Sequence, residues 1–114
     1  MNSTLNVSLK SGLVLVFAML MLAAFHGGEA QAQAGKSLFN AKGCVACHGA
    51  DGKAPILPVY PKLAGQNAPY LIAQLKDFKG QKRKSGQSAL MWGMAAQLSD
   101  ADMKAIAEYL QSVK

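Results

Sequence analysis

The sequence predicts an all-α domain of three main helices joined by two long loops. Three observations lead there. Apolar residues return at helical spacing in three stretches, two of them opening on residues that favour helix starts. No stretch shows the period-two alternation of a half-buried strand, and no internal repeat is present. The segments between the helical stretches carry the prolines and glycines of irregular loops. With 114 residues the chain holds one small domain at most. Two cysteines exclude a disulfide-rich scaffold and a four-cysteine zinc site.

The amino-terminal stretch stands apart from this domain. Lys10 is the only charged residue before Glu29 and precedes an apolar run of 14 residues, Gly12 to Phe25. A spanning helix needs roughly 20 apolar residues, so the run is too short to cross a bilayer comfortably. Small and polar residues then alternate from Glu29 to Ala34. A positive start, a short apolar run and an Ala-x-Ala end are the parts of a secretory signal peptide. Residues 1–34 are therefore expected to be an export signal, cut after Ala32 or Ala34. The domain is expected to be 35–114, periplasmic, with no stable membrane insertion after cleavage. From Gly35 the chain carries 11 Lys and Arg against 5 Asp and Glu, 11 − 5 = +6. Its core is small, and chains of this size often need a staple or cofactor.

Within the domain, Lys36 to Lys42 reads as a short helix with Leu38, Phe39 and Ala41 apolar, broken by Gly43. The densest chemistry follows at once: Cys44-Val45-Ala46-Cys47-His48. Cys-x-x-Cys-His is the attachment signature of c-type haem. Two thiols one helical turn apart can each add to a vinyl group on the porphyrin edge. The adjacent imidazole then lies under the iron as a ligand. A thioredoxin-like redox pair expects a βαβ pattern, which is absent here. A zinc site lacks its fourth ligand, because the domain has no further Cys or His. A plain disulfide would leave His48 unexplained. One covalently attached haem is the expected cofactor.

Residues 49–66, with Pro55, Pro58 and Pro61 and glycines at 49, 52 and 65, read as an irregular loop able to wrap a flat cofactor. Asn67 caps a predicted helix running to Lys79, with Pro69 tolerated in its first turn, Gly80 at its end, and Leu71, Leu75 and Phe78 as its buried stripe. Lys79, Lys82, Arg83 and Lys84 then cluster in a loop with Gly and Ser. They form either a solvated loop or a docking patch for an acidic redox partner. Met103, Ile106, Ala107, Leu110 and Val113 mark the last helix, opened by Ser99 with Asp102 three residues on. That spacing makes Met103 a core residue. No second histidine remains for the far side of the iron, so the sixth ligand is a methionine or the position is open. Met91 and Met94, just before the last helix, are both candidates, and their spacing alone barely separates them.

Cys44-Val45-Ala46-Cys47-His48-Gly49, Pro61-Lys62-Leu63-Ala64-Gly65-Gln66, and Met91 seven residues before Leu98-Ser99-Asp100 together resemble a class I cytochrome c. The likeness is closest to small bacterial periplasmic monohaem cytochromes and to single domains of dihaem ones. It covers the chain from Gly35. The resemblance implies three helices and long loops around one haem, with His48 and Met91 as axial ligands and Met94 as runner-up. It also implies that the Pro61 carbonyl accepts the His48 N–H, and that Gly35 and Phe39 meet Tyr109 across the terminal helices. The function it implies is one-electron transfer between respiratory or dehydrogenase partners, not enzymatic catalysis. The alternative is a haem subunit, or a small-ligand-binding haem domain, of a larger redox enzyme or sensor. Nucleic acid is not an expected partner. Trp92, Tyr60 and Tyr70 are expected in the haem pocket or core packing.

Overall fold

The computed structural model describes residues 16–17 and 27–114. The chain divides into two units, Met1–Ala30 and Gln31–Lys114, and the second carries the features that follow. Most of the apolar run from Gly12 to Phe25, and with it most of the expected export signal, lies outside the described residues. No helix among the described residues is long and apolar enough to cross a membrane.

Among the described residues from Gly27 on, five α-helices and one 3-10 turn follow in order, the first beginning before the boundary of the second unit: α1 Gly27–Ala41, α2 Val45–His48, the turn Ala50–Gly52, α3 Ala68–Lys79, α4 Ser88–Ala96 and α5 Asp100–Ser112. The described residues contain no strand. Three of these helices answer the sequence expectation. α1 begins earlier than Lys36 because the Ala-, Gln- and Glu-rich stretch before it consists of good helix formers. α4 is an addition. Its sequence, Ser-Ala-Leu-Met-Trp-Gly-Met-Ala-Ala, is apolar on nearly every side, so no helical period marks it.

Local chemistry sets the helix ends. At α3 the Asn67 side chain accepts from the Tyr70 N–H at 3.3 Å, and Gln111 of α5 accepts from the Ala68 N–H at 2.7 Å. Two of the free amides at that helix start are thus satisfied, one of them from a different helix. At α5 the box is complete: Asp102 N–H donates to Ser99 Oγ at 3.1 Å, and Ser99 N–H donates to Asp102 Oδ2 at 3.0 Å.

The core lies where α1, α3 and α5 meet. Phe39 from α1, Leu71 from α3, and Met103, Ile106, Ala107, Tyr109 and Leu110 from α5 are all buried, together with Leu98. Leu75, expected in the buried stripe of α3, is only half-buried and packs at the core's edge. Each large apolar side chain removed from water contributes about 1.5–3 kcal/mol before its ordering cost. The crossing of α1 and α5 is close at Gly35. A Cβ there would stand 2.1 Å from the Ala105 carbonyl oxygen and 2.6 Å from Tyr109 Cβ, so no side chain fits. One helical turn on, the Phe39 and Tyr109 rings pack with centroids 6.1 Å apart, tilted by 58°.

Candidate functional site

The Cys44–His48 segment is built as the sharp exit from α1. Cys44 N–H donates back to the Phe39 carbonyl at 3.1 Å, and His48 N–H reaches the Cys44 carbonyl at 3.1 Å. This single turn keeps Cys44, Cys47 and His48 on consecutive helical positions. Gly49 ends it at φ = +78°, and a Cβ on Gly49 would lie 2.0 Å from the Ala54 carbonyl oxygen. Only glycine both takes that left-handed conformation at no steric cost and lets the returning chain come so near. That return is fastened when Ile56 N–H donates to the Cys47 carbonyl at 3.1 Å.

His48 is buried, at 6% exposure, and its Nδ1 lies 2.9 Å from the Pro61 carbonyl oxygen. A carbonyl can only accept, so Nδ1 carries the proton and donates it. The lone pair is left on Nε2, which takes part in no hydrogen bond among the described residues. A ring whose proton is held by a backbone carbonyl is fixed in tautomer and direction, the usual condition of a metal-ligating histidine. The Tyr60 ring stands 6.5 Å from it, tilted by 49°. Cys44 and Cys47 are unpaired and half-buried, and burial pushes the Cys44 thiol above its ordinary value.

These residues fit a haem and not a bare metal ion. Among the described residues no three His, Cys, Asp or Glu side chains converge to hold an ion, so the two sulfurs and the imidazole do not share a common centre. Divergent thiols beside an oriented imidazole suit addition at a porphyrin edge with ligation at its middle. Ile56, Leu57 and Val59 stand 63%, 47% and 63% exposed on the loop that carries Pro61. Apolar surface of this kind calls for a cover, which a flat apolar cofactor or a docked partner provides.

The two candidate methionines lie on α4 and are both half-buried. Met94 is engaged by the protein itself: Gln97 Nε2 approaches its sulfur at 4.0 Å, and its methyl lies 3.6 Å from where a Gly43 Cβ would stand. Met103 is fully buried, as its helical spacing predicts. Trp92 is half-buried and its indole N–H donates to the Arg83 carbonyl at 2.9 Å, tying the preceding loop to α4. Tyr70, expected in the haem pocket or in core packing, is 50% exposed on α3 and so is not part of the protein core, because its position faces away from the stripe of Leu71 and Phe78. The basic cluster is less uniform than its sequence implies. Lys79 Nζ donates to the Leu98 carbonyl at 2.5 Å. Arg83 donates to Gln74 Oε1 at 2.8 Å and lies 4.8 Å from the Phe78 ring centre. Lys82 and Lys84 remain exposed.

Sequence reasoning passed over Asp51. It sits at φ = +54° beside the Gly49–Gly52 turn, accepts from the Tyr109 hydroxyl, and lies 3.2 Å from Lys36 Nζ. The Tyr109 hydrogen bond and, after it, Lys36 hold its carboxyl below the usual aspartate range. Burial, followed by the hydrogen bond to Asp51, pushes the Tyr109 hydroxyl up to about 12. The available signal was an aspartate between two turn glycines, which marks a turn but not its distant partner.

An all-helical domain that presents two thiols and an oriented imidazole on one turn belongs to the class that binds its tetrapyrrole covalently. Comparison with known proteins names the family. The Cytochrome c family profile matches residues 32–114, and the chain belongs to the cytochrome c family, as a bacterial class I member. It is 49% identical over 69 residues to cytochrome c-554(548) of Halomonas halodenitrificans, covering 60% of this chain and 82% of that one. It is 42% identical over 102 residues to cytochrome c4 of Pseudomonas aeruginosa, covering 90% of this chain but 46% of the relative. The crystal structure of reduced recombinant cytochrome c4 from Pseudomonas stutzeri superposes with a TM-score of 0.66 at 36% identity, over 75% of this chain and 50% of that one. The chain thus spans about half the length of the cytochromes c4 it matches. Membership carries covalently bound haem c, with Cys44 and Cys47 fitting the attachment motif, and haem-based electron transfer.

Proposed function

We propose that the protein is an exported one-electron carrier in which His48 and Met91 are the axial ligands of a single haem c. The observation that carries this reading is the hydrogen bond from His48 Nδ1–H to the Pro61 carbonyl, because it leaves Nε2 free to donate its lone pair. Haem, when bound, supplies an iron that cycles between ferric and ferrous by one electron. The chain supplies the rest. Cys44 and Cys47 each add an S–H across one vinyl group, so attachment consumes no oxidant. Pro61 fixes the imidazole, and a thioether on the far side favours the ferrous state and raises the potential. Met91 is assigned over Met94 on two grounds. Met91 holds the place seven residues before Leu98, where the family resemblance sets the methionine ligand, and the Met94 sulfur has Gln97 Nε2 beside it at 4.0 Å. A haem held by both His48 and Met91 would leave no open position at its iron for a substrate.

Export to the periplasm rests on the apolar run and the Ala-x-Ala end of residues 1–34. An amino terminus at Gln33 or Gly35 in the secreted protein, read by mass, is the expected result. The retained sequence from Met1 would overturn it. For partners, Lys82 and Lys84, together with the charges that Lys79 and Arg83 keep while bonded to neutral oxygens, suit an acidic docking surface.

The decisive experiment is optical spectroscopy of the holoprotein, oxidised and reduced, with and without carbon monoxide. A low-spin iron, the weak ferric–thioether band and no response to carbon monoxide are expected. Ready binding of carbon monoxide would move the function to ligand sensing or a catalytic subunit and leave haem attachment standing.

A further inference from the structure

The Asp51 cluster ties the crossing of α1 and α5 to the loop that follows His48. Its carboxylate receives the Tyr109 hydroxyl from α5 and the Lys36 ammonium from α1, while Lys53 adds a further positive charge from its own loop. Its backbone lies at φ = +54°, a region that few side chains tolerate and that Asp and Asn enter most readily. The next residue bears a heavier hydrogen-bond load. The Gly52 carbonyl accepts from Leu63 N–H at 2.9 Å and from Ala64 N–H at 3.1 Å. Leu63 stands two residues after Pro61, whose carbonyl holds His48. A short, continuous path therefore runs from the crossing of the terminal helices, through Asp51 and Gly52, to the Pro61 carbonyl and the imidazole.

We propose that Asp51 is a positioning residue for His48. Clamped by Tyr109 and Lys36, it aims the Gly52 carbonyl at Leu63 and Ala64, and so places the Pro61 carbonyl that orients the ring. The proposal deepens the haem-ligand reading above and rests on it for its consequence at the iron. The clamp itself, however, is a property of the chain. With haem bound, the clamp would keep the imidazole direction constant between the two oxidation states and so lower the rearrangement each electron requires.

The test uses the haem-loaded protein with Tyr109→Phe, which keeps the ring against Phe39 and removes one oxygen, and with Asp51→Gly, which keeps the left-handed turn and removes the clamp. Asp51→Asn serves as the rescue, because its side-chain oxygen still accepts from Tyr109 and it tolerates the same backbone. Hydrogen exchange of the His48 ring N–H and of the Leu63 and Ala64 amides is followed by NMR in the reduced state, alongside the reduction potential and the melting temperature. Exchange about tenfold faster at all three sites is expected in Asp51→Gly, the fold-change for loss of one net hydrogen bond. Tyr109→Phe should move them in the same direction, Asp51→Asn should stay within about threefold of the parent, and the potential should shift with exchange across the series. Melting temperatures that fall while all three exchange rates and the potential stay at parental values would overturn the proposal and reduce Asp51 to a structural residue. Should Asp51→Gly fail to fold, unchanged exchange in Tyr109→Phe overturns it equally. A parent protein without covalent haem by mass would instead sink the haem-ligand reading, while the two amides would still decide the clamp.

Discussion

The two sides of the site are held in different ways. Residues 44–66, which present His48, are fastened by backbone hydrogen bonds and by side chains from both terminal helices. Residues 80–97, which present Met91, are fastened by more local backbone bonds such as Lys82 N–H to the Asp77 carbonyl, by buried Ala95 and Ser88, and by side chains near the surface: Trp92 to the Arg83 carbonyl, Arg83 to Gln74, Lys42 to the Gln97 carbonyl at 3.4 Å. Exposed hydrogen bonds contribute less than bonds that would leave a buried partner unsatisfied if broken. The histidine side is held by contacts between distant parts of the chain, and the methionine side mainly by more local ones.

The largest expected effects break that contrast outright. Cys47→Ser or His48→Ala should abolish stable, complete haem attachment, seen as loss of the covalent mass or of the low-spin spectrum. Met91→Ala should keep the covalent haem and lose only the ferric–thioether band. A Met94→Ala protein that loses the band while Met91→Ala keeps it would reassign the ligand.

Stability should divide in the same direction. Leu110 is 2% exposed and its side chain lies against Gly52, so Leu110→Ala should cost about 2–5 kcal/mol in denaturant unfolding. Trp92→Phe, which removes one half-exposed N–H bond, should cost about 0.5–1.5 kcal/mol. Equal losses would mean that the two sides are fastened alike.

The pH dependence sharpens the comparison, because the clamp groups belong to the histidine side. Asp51 titrates lower when folded than its ordinary 3.8, so its contribution is present above that value and is lost as pH falls through the folded one. Tyr109 titrates higher when folded, about 12 against 10.0, so its contribution holds below pH 10 and is lost as pH rises toward 12. Melting temperature should drop at both extremes, and Tyr109→Phe should remove the alkaline drop. The smallest effect belongs to the surface of the methionine side. Lys82→Gln with Lys84→Gln should slow electron transfer to an acidic partner severalfold at low salt and leave stability within about 0.5 kcal/mol. Rates that ignore ionic strength would leave the two lysines as solvated surface.

What could be read from sequence follows how local each signal is. The caps at Asn67 and Ser99 lie within three residues of the amides they satisfy, and both formed as read. The cysteine–histidine motif is contiguous, and its chemistry needs no tertiary knowledge. The crossing of Gly35 and Phe39 with Tyr109 was available only through family resemblance. α4 escaped because an apolar surface on every side has no period. The Asp51–Tyr109 bond escaped because it joins positions 58 residues apart. The four basic residues read as one cluster from their sequence neighbours, but the bonds that Lys79 and Arg83 each make to Leu98 and Gln74 have no local signal.

That separation of 58 residues also has a meaning in time. Chain synthesis runs from Cys44 toward Tyr109, so the partner that closes the histidine loop is made long after the thiols it will confine. Whenever α5 is undocked, the Tyr109 hydroxyl is withdrawn from Asp51, and that brace on the loop after His48 is lost. Once α5 is in place the same loop becomes one of the better-braced parts of the domain. The brace on the histidine loop is thus a report on the whole domain, complete only when both ends of the chain are in place.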